Sequence, residues 1–444
     1  MARRRRAVPQ AREARPVPGP ARVPLPSHGR PQPAAPPTDI ADQTSRYEQR
    51  RAAILDAAAR LFNEKGVRGA TLATVAESVG LRTPAISYYY PSKEHLAAAC
   101  FLKAIAVFDD IFSHAAQAET SATRLALAVT MYFDWLAEVA LNRQPPVVAF
   151  NDIRALSPPH TEGVFDAYAS MFRQVRRLFS GADGPVFERV EQNARAHLLL
   201  ALLLWVPGWI HRYEPEDYGR VAARVIDILR HGLLRDAAIW EAGLRHDITI
   251  AIAAGEERRN AFLHAATFLM NERGYRGASI DQISARLKLT KGAFYHHNTD
   301  KQDLIVACFE RTFDVIRRAQ NAAAVIGGDG GAILCRAVGT LVRFQMSDQG
   351  PLLRTSALHS VGQAVRINMV IRMNRLSNRF SAFIVDGIAD GSVRPVDPLV
   401  AGELVGGMIN AVAELPLWAP RAAPDAAPEL FARPLLTGIL SRDR

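Results

Sequence analysis

The sequence predicts an all-α protein made of two copies of one plan, and three observations carry that expectation. Apolar residues recur at helical spacing in window after window, as Leu72, Val75, Ala76 and Val79 do at i, i+3, i+4 and i+7, and no alternating strand pattern interrupts them. Proline and glycine clusters such as Pro145-Pro146, Pro158-Pro159 and Gly181 to Pro185 cut the pattern into helix-length pieces. A shift of 208 residues lays Arg50–Phe101 on Arg258–Phe309 without a gap, with 20 of the 52 pairs identical. Repetition at so long a period marks a duplicated domain rather than a solenoid unit.

In chain order, residues 1–44 come first, with ten prolines by position 37 and almost nothing to bury, which predicts a disordered or polyproline-like Arg/Pro-rich tail. The tail also carries much of the net charge of +10, since residues 1–40 hold eight Arg against Glu13 and Asp39. Its basicity suits a passive leader or an arm that grips nucleic acid by charge alone. Arg3 to Arg6 are not followed by an apolar stretch, so no secretory signal is expected. The longest apolar run, Leu198 to Ile210, is thirteen residues, short of the ~18 of a membrane span. Cys100, Cys308 and Cys335 form neither a metal spacing nor a disulfide framework, which points to a reducing cytoplasm and to no cofactor or metal. Cys100 and Cys308 occupy matching positions inside an apolar helix pattern and are expected as buried thiols rather than redox sensors. No P-loop, GxSxG or HExxH motif is present, so enzyme activity is not expected.

The first repeat opens with a helix predicted from about Ser45 to Lys65, its apolar face made by Ile54, Leu55, Ala58, Leu61 and Phe62 and its stop by Gly66. Thr71 is placed to cap a short second helix, and Gly80 supplies the left-handed turn that a Cβ would resist. Leu81, Ala85 and Ile86 anchor a third helix, which leaves Arg82, Thr83, Ser87, Tyr88 and Tyr89 on the outward side. That is the plan of a helix-turn-helix, whose last helix enters a DNA groove. From Lys93 a long helical pattern continues through Leu96, Phe101, Ile105, Phe108 and Phe112.

With its Thr-led second helix and the run Ala85-Ile-Ser-Tyr-Tyr-Tyr-Pro-Ser-Lys-Glu94, the segment from Arg50 to Phe101 resembles the N-terminal DNA-binding domain of TetR-type bacterial transcriptional regulators. It departs from the family's YxHFxxK signature at Ser87, Tyr89 and Tyr90. The resemblance implies phosphate contacts for Tyr88 and Lys93. Arg82 at the start of the third helix is the candidate for reading guanine.

The second repeat follows the same plan. Ser279 with Gln282 forms a capping-box pattern, and the recognition stretch runs from Thr290 and Lys291 through Tyr295, His296 and His297 to Lys301, closer still to the family signature. Lys288 stands where the turn glycine was, a cost of ~1 kcal/mol if that position is left-handed, and Asn298 replaces the usual Phe. A metal site at His296-His297 is disfavoured because neighbours on a helix point about 100° apart.

Domains are therefore expected at 1–44 (tail), 45–95 (first helix-turn-helix head), 96–245 (first helical body), 246–303 (second head) and 304–444 (second body). The family resemblance implies that such bodies dimerise and hold an effector. Met131, Trp135, Met171, Trp205 and Trp209 in the first body, and Phe344, His359, Met369, Met373 and Trp418 in the second, are candidate pocket residues beside the plain alternative of core packing. The expected function is a cytoplasmic, nucleoid-associated regulator that binds double-stranded operator DNA, acting as a repressor released by a small, largely apolar effector. It would work as an intramolecular pseudo-dimer or as a homodimer. The alternative is a ligand-sensing or protein-interaction scaffold whose heads have ceased to bind DNA.

Overall fold

The computed structural model describes residues 39–181, 186–250, 256–278, 280–287 and 301–441. Residues to Glu48 form one compact unit, of which only the start of the first helix is described, and Gln49–Arg444 form the other. The first head comprises α1 (Asp39–Gly69), α2 (Leu72–Ser78) and α3 (Thr83–Tyr89), and α4 (Lys93–Ala115) leads into the first body. Helix α1 starts ahead of the expected Ser45 and breaks where expected, at Gly66, whose φ of 71° no ordinary side chain adopts readily. Thr71 and Thr74 then cap α2 reciprocally, each accepting at 3.1 Å from the other's backbone N–H.

The first body continues with α5 (Ser121–Ala140), a 3₁₀ turn at Phe150–Ala155, α6 (His160–Arg177), α7 (Arg189–Trp205) and α8 (Tyr218–His231). After α9 (Ala238–Leu244) the second module follows with α10 (Glu257–Gly277), α11 (Ile280–Leu287), α12 (Lys301–Ile326) and α13 (Gly330–Met346). A 3₁₀ turn at Thr355–Ser360, α14 (Gln363–Asp390), α15 (Pro398–Ala411), α16 (Leu415–Trp418) and α17 (Arg433–Thr437) complete it. Among the described residues there is no strand, only an isolated antiparallel bridge between Leu234 and Val393. The fold is all-α, two modules in tandem.

The duplication extends to individual hydrogen bonds. Asn63 on α1 donates to the Val147 carbonyl at 2.9 Å and accepts from the Ala149 N–H at 2.8 Å. Its counterpart Asn271 on α10 does the same to Leu352 and Arg354, at 2.8 and 3.1 Å. The Cys100 and Cys308 thiols each donate to a carbonyl on the first helix of their module, Leu55 and Leu263, both at 3.7 Å. Gly274 breaks α10 at φ 69°, as Gly66 breaks α1.

One hydrophobic core runs through both bodies. Helix α7 packs on α15 and α16, and α8 on α15 and α17. The Trp418 ring stacks on Phe172 at 3.8 Å, a contact worth about 1 kcal/mol beyond the area it buries. Polar groups stitch the same seam: Asn193 donates to the Trp418 carbonyl, His197 to Ala411 and Arg195 to Ile439, at 3.0 to 3.1 Å. Helix α9, which its sequence position assigns to the first body, packs instead on α13. A Cβ on Gly243 would lie 2.6 Å from that of Cys335, and one on Gly339 would lie 2.4 Å from Leu244, so two glycines create this close approach. The span Pro398–Trp418 is long and apolar enough to cross a membrane, and an 18-residue stretch of it is 67% buried inside the protein.

Candidate nucleic-acid interface

Helix α3 sits on the first head through Ile86, which is fully buried, and the half-buried Ala85 and Leu81. That anchoring turns Arg82, Thr83 and Ser87 to the surface, and Tyr88 with them at 74% exposure. Pro84 in the first turn costs α3 nothing, because an N–H there has no partner within the helix. Tyr89 is placed differently from the expectation. It is half-buried and packs against the core, its ring edge-on to Tyr88 at 5.2 Å, because it lies three residues after Ile86 and four after Ala85, on the inner face of the helix. Tyr90 is buried, with the Arg51 guanidinium 5.8 Å from its ring centre.

Lys93 opens α4 behind its cap Ser92, and its Nζ donates to the Ala70 carbonyl at 3.4 Å. The bond sets the ammonium beside Thr71 at the start of α2, which is itself exposed. Cation, hydroxyl and the outward face of α3 thus belong to one head, held by a buried scaffold of Val75, Ala76, Ile86 and Leu96. Phosphates ask for such groups at such an edge.

In the second head, Ser279, Thr290, Lys291, Tyr295, His296 and His297 lie outside the described residues, as does the side chain of Lys301 at the start of α12. The supporting helix α11 is placed, with Ile283 fully buried.

The candidate pocket residues separate into three groups. Trp205 and Met373 line a cavity of about 60 Å³, with Phe309, Phe313, Gln345 and Asn410 among its walls. Phe344 borders a larger, charged recess of about 450 Å³ that also holds Arg311, Asp314 and Arg318. The remaining residues sit elsewhere. Met171, Trp209 and Met369 are buried in packed core, Trp418 fills the seam between the bodies, and Trp135 stacks on Tyr132 with Met131 half-buried beside the core. His359 is exposed and donates to the Ser356 carbonyl. The small cavity falls where the core divides. Phe309, Phe313 and Leu376 belong to a hydrophobic cluster around the second head, while Phe380 and Ile409 belong to the main core. Burial pushes the Cys100 and Cys308 thiols up to about 12, which keeps both protonated and unreactive.

Sequence reasoning passed over the asparagine clamps and the charges between the modules. The identical Asn63-Glu64 and Asn271-Glu272 pairs are the one signal that pointed there.

The family described as "Bacterial regulatory proteins, tetR family" is matched twice, over residues 54–100 and 262–308. The chain is 41% identical over 56 residues to the transposon Tn10 TetC protein of Escherichia coli, a match covering 13% of this chain and 28% of that protein. Among solved structures it is similar to the TetR family transcriptional regulator PfmR from Thermus thermophilus, with 21% identity, a TM-score of 0.34, and 41% of this chain and 99% of that chain covered. It is also similar to a regulator of the TetR/AcrR family from Thermobifida fusca, with 24% identity, a TM-score of 0.32, and 42% and 100% covered. The two matched segments lie in the two heads, and each head therefore belongs to the tetR family of bacterial regulatory proteins.

Proposed function

We propose that this protein is a DNA-binding transcriptional regulator that grips operator DNA through its two heads, with the bodies serving as an internal dimer. The observation that carries the reading is the outward face of α3, where Arg82, Thr83, Ser87 and Tyr88 are exposed on a helix fixed from behind by Ile86, with Lys93 and Thr71 beside it. The placement suits a recognition helix in a major groove, flanked by groups for the backbone phosphates. The continuous core across both bodies supports the internal-dimer part of the proposal. Because Arg82-Thr83 in one head corresponds to Thr290-Lys291 in the other, the expected operator is asymmetric.

The regulator acts as a repressor released by a small, largely apolar ligand. The cavity beside Trp205 supports this, since it lies between the cluster that carries the second head and the main core. A ligand that enlarged it would move that head, and binding of ligand and of DNA would then oppose each other through one coupling energy. The test is recovery of duplexes from a random pool by the full chain, followed by the mass of the complex. One chain on an asymmetric site is the expected result. Two chains on a palindrome would overturn the internal dimer, and recovery of no sequence would overturn the DNA-binding reading.

A further inference from the structure

Two arginines from different modules meet on one carboxylate oxygen. Arg154, on the 3₁₀ turn of the first body, contacts Glu414 Oε1 at 2.9 Å, and Arg354, from the second module, reaches the same oxygen at 2.8 Å. The three side chains are between 17% and 30% exposed. Both arginines are also tied to a head. Arg154 donates from its other guanidinium nitrogen to the Asn271 carbonyl on α10 at 3.1 Å, and the Arg354 N–H donates to the Asn271 side chain at 3.1 Å. The turn that carries Arg154 is entered through residues 147–149, which Asn63 of the first head holds. The turn from 147 to 154 therefore links α1 of one head to α10 of the other, and Glu414 holds the two arginines that flank that link.

Charge makes this junction more than a loop contact. Burial opposes ionisation of Glu414, but Arg354, His197 and Arg154 together outweigh it and hold its carboxyl below the usual range. Removing the negative charge would leave two guanidiniums facing one neutral acceptor in a partly desolvated place, where like charges repel more strongly than in water.

We propose that Glu414, held between Arg154 and Arg354, is the positioning residue that fixes the separation of the two heads and so determines which half-site spacing in DNA the chain accepts. This rests on the DNA-binding reading above. One added base pair moves the second half-site by about 3.4 Å along the duplex and turns it by roughly a tenth of a revolution. A stiff junction refuses that change and a loosened one follows it.

The experiment takes the duplex selected by the wild-type chain and rebuilds it with one or two base pairs added or removed between half-sites, alongside each half-site alone. Full-length wild type, Glu414→Gln and Arg154→Gln are compared. Arg154→Gln leaves Arg354 paired with Glu414, so no charge is stranded, and it keeps the test open if the other variant fails to fold. The wild type is expected to lose about tenfold in affinity for each altered spacing, within the usual range of coupling between sites. Both variants are expected to keep half-site affinity and to vary by no more than about twofold across spacings. The proposal is overturned if the variants reproduce the wild-type spacing profile, if half-site affinity falls as much as full-site affinity, or if the selected duplex contains a single half-site. A wild type that selects no duplex overturns the DNA-binding reading itself, and this inference with it.

Discussion

At the scale of single residues, Lys93 and Gly407 pose opposite problems. Lys93 is anchored by one hydrogen bond to Ala70 and otherwise sits at the edge of the head, so replacing it should leave the fold intact. A phosphate contact predicts that Lys93→Met weakens binding about equally on all duplexes and lowers the slope of log affinity against log salt by about one. An unchanged slope would remove Lys93 from the interface, and the same measurement on Lys301→Met asks whether the second head binds at all. Gly407 lies in α15 against Trp205, where an added Cβ would stand 2.8 Å from the root of the indole ring. A ring root cannot swing aside as a side-chain tip can. Gly407→Ala should therefore destabilise by about 1–3 kcal/mol despite alanine's better helix propensity, seen as a lower denaturation midpoint with altered Trp205 fluorescence. A midpoint equal to or above that of wild type would contradict it. The outward face of α3 was legible from helical period alone, because Ile86 and Ala85 declare the inner side. The same period puts Tyr89, three residues after Ile86, on the inner side, a placement that the run of three tyrosines obscured. The partnership of Trp205 with Gly407 was not legible, for these residues lie about 200 apart with nothing in either neighbourhood to pair them.

At the scale of elements, the asparagine clamps explain how a head is joined to its body. Each satisfies one carbonyl and one N–H of a segment that has no ladder of its own, part-buried in the second module and exposed at the Ala149 N–H in the first. Asn63→Ala is expected to speed amide exchange at Ala149 while leaving Arg354 unchanged, and Asn271→Ala to do the reverse. Equal changes at both sites in either variant would mean general loosening rather than a local clamp. The helices themselves were largely readable, through glycine breaks at Gly66 and Gly80 and the cap at Thr71. Helix α9 was not, because order along the chain says it follows the first body, while only the facing glycines Gly243 and Gly339 reveal its seat on α13.

At the scale of the whole molecule, the junction between bodies should be sensitive to acid in two successive steps. His197 on α7 is buried, donates to the Ala411 carbonyl at 3.0 Å, and lies between the rings of Trp418 and Phe431. Burial lowers its pKa from the ordinary 6.5, outweighing the opposing pull of Glu414 and of the Ala411 bond. It therefore stays neutral in the fold, while the unfolded chain takes up a proton below about pH 6.5. The unfolded state then binds more protons, so the contribution is complete above 6.5 and declines as pH falls toward the folded value. Glu414, also lowered from an ordinary 4.5, keeps its contribution above that pH and loses it below. Each group changes stability by at most about 1.4 kcal/mol per pH unit within its window. Denaturant unfolding followed from pH 7.5 to 4 should show an early loss beginning near 6.5 and a second near 4.5. His197→Gln, whose amide can still donate to Ala411, should reduce the first loss, leaving the share of His264, which burial lowers in the same direction. Glu414→Gln should reduce the second loss and, by removing the upward pull of Glu414 on His197, deepen the first. A wild type whose stability is flat between pH 7 and 5.5 would mean that His197 is not held neutral, and that the seam between the bodies admits water around it.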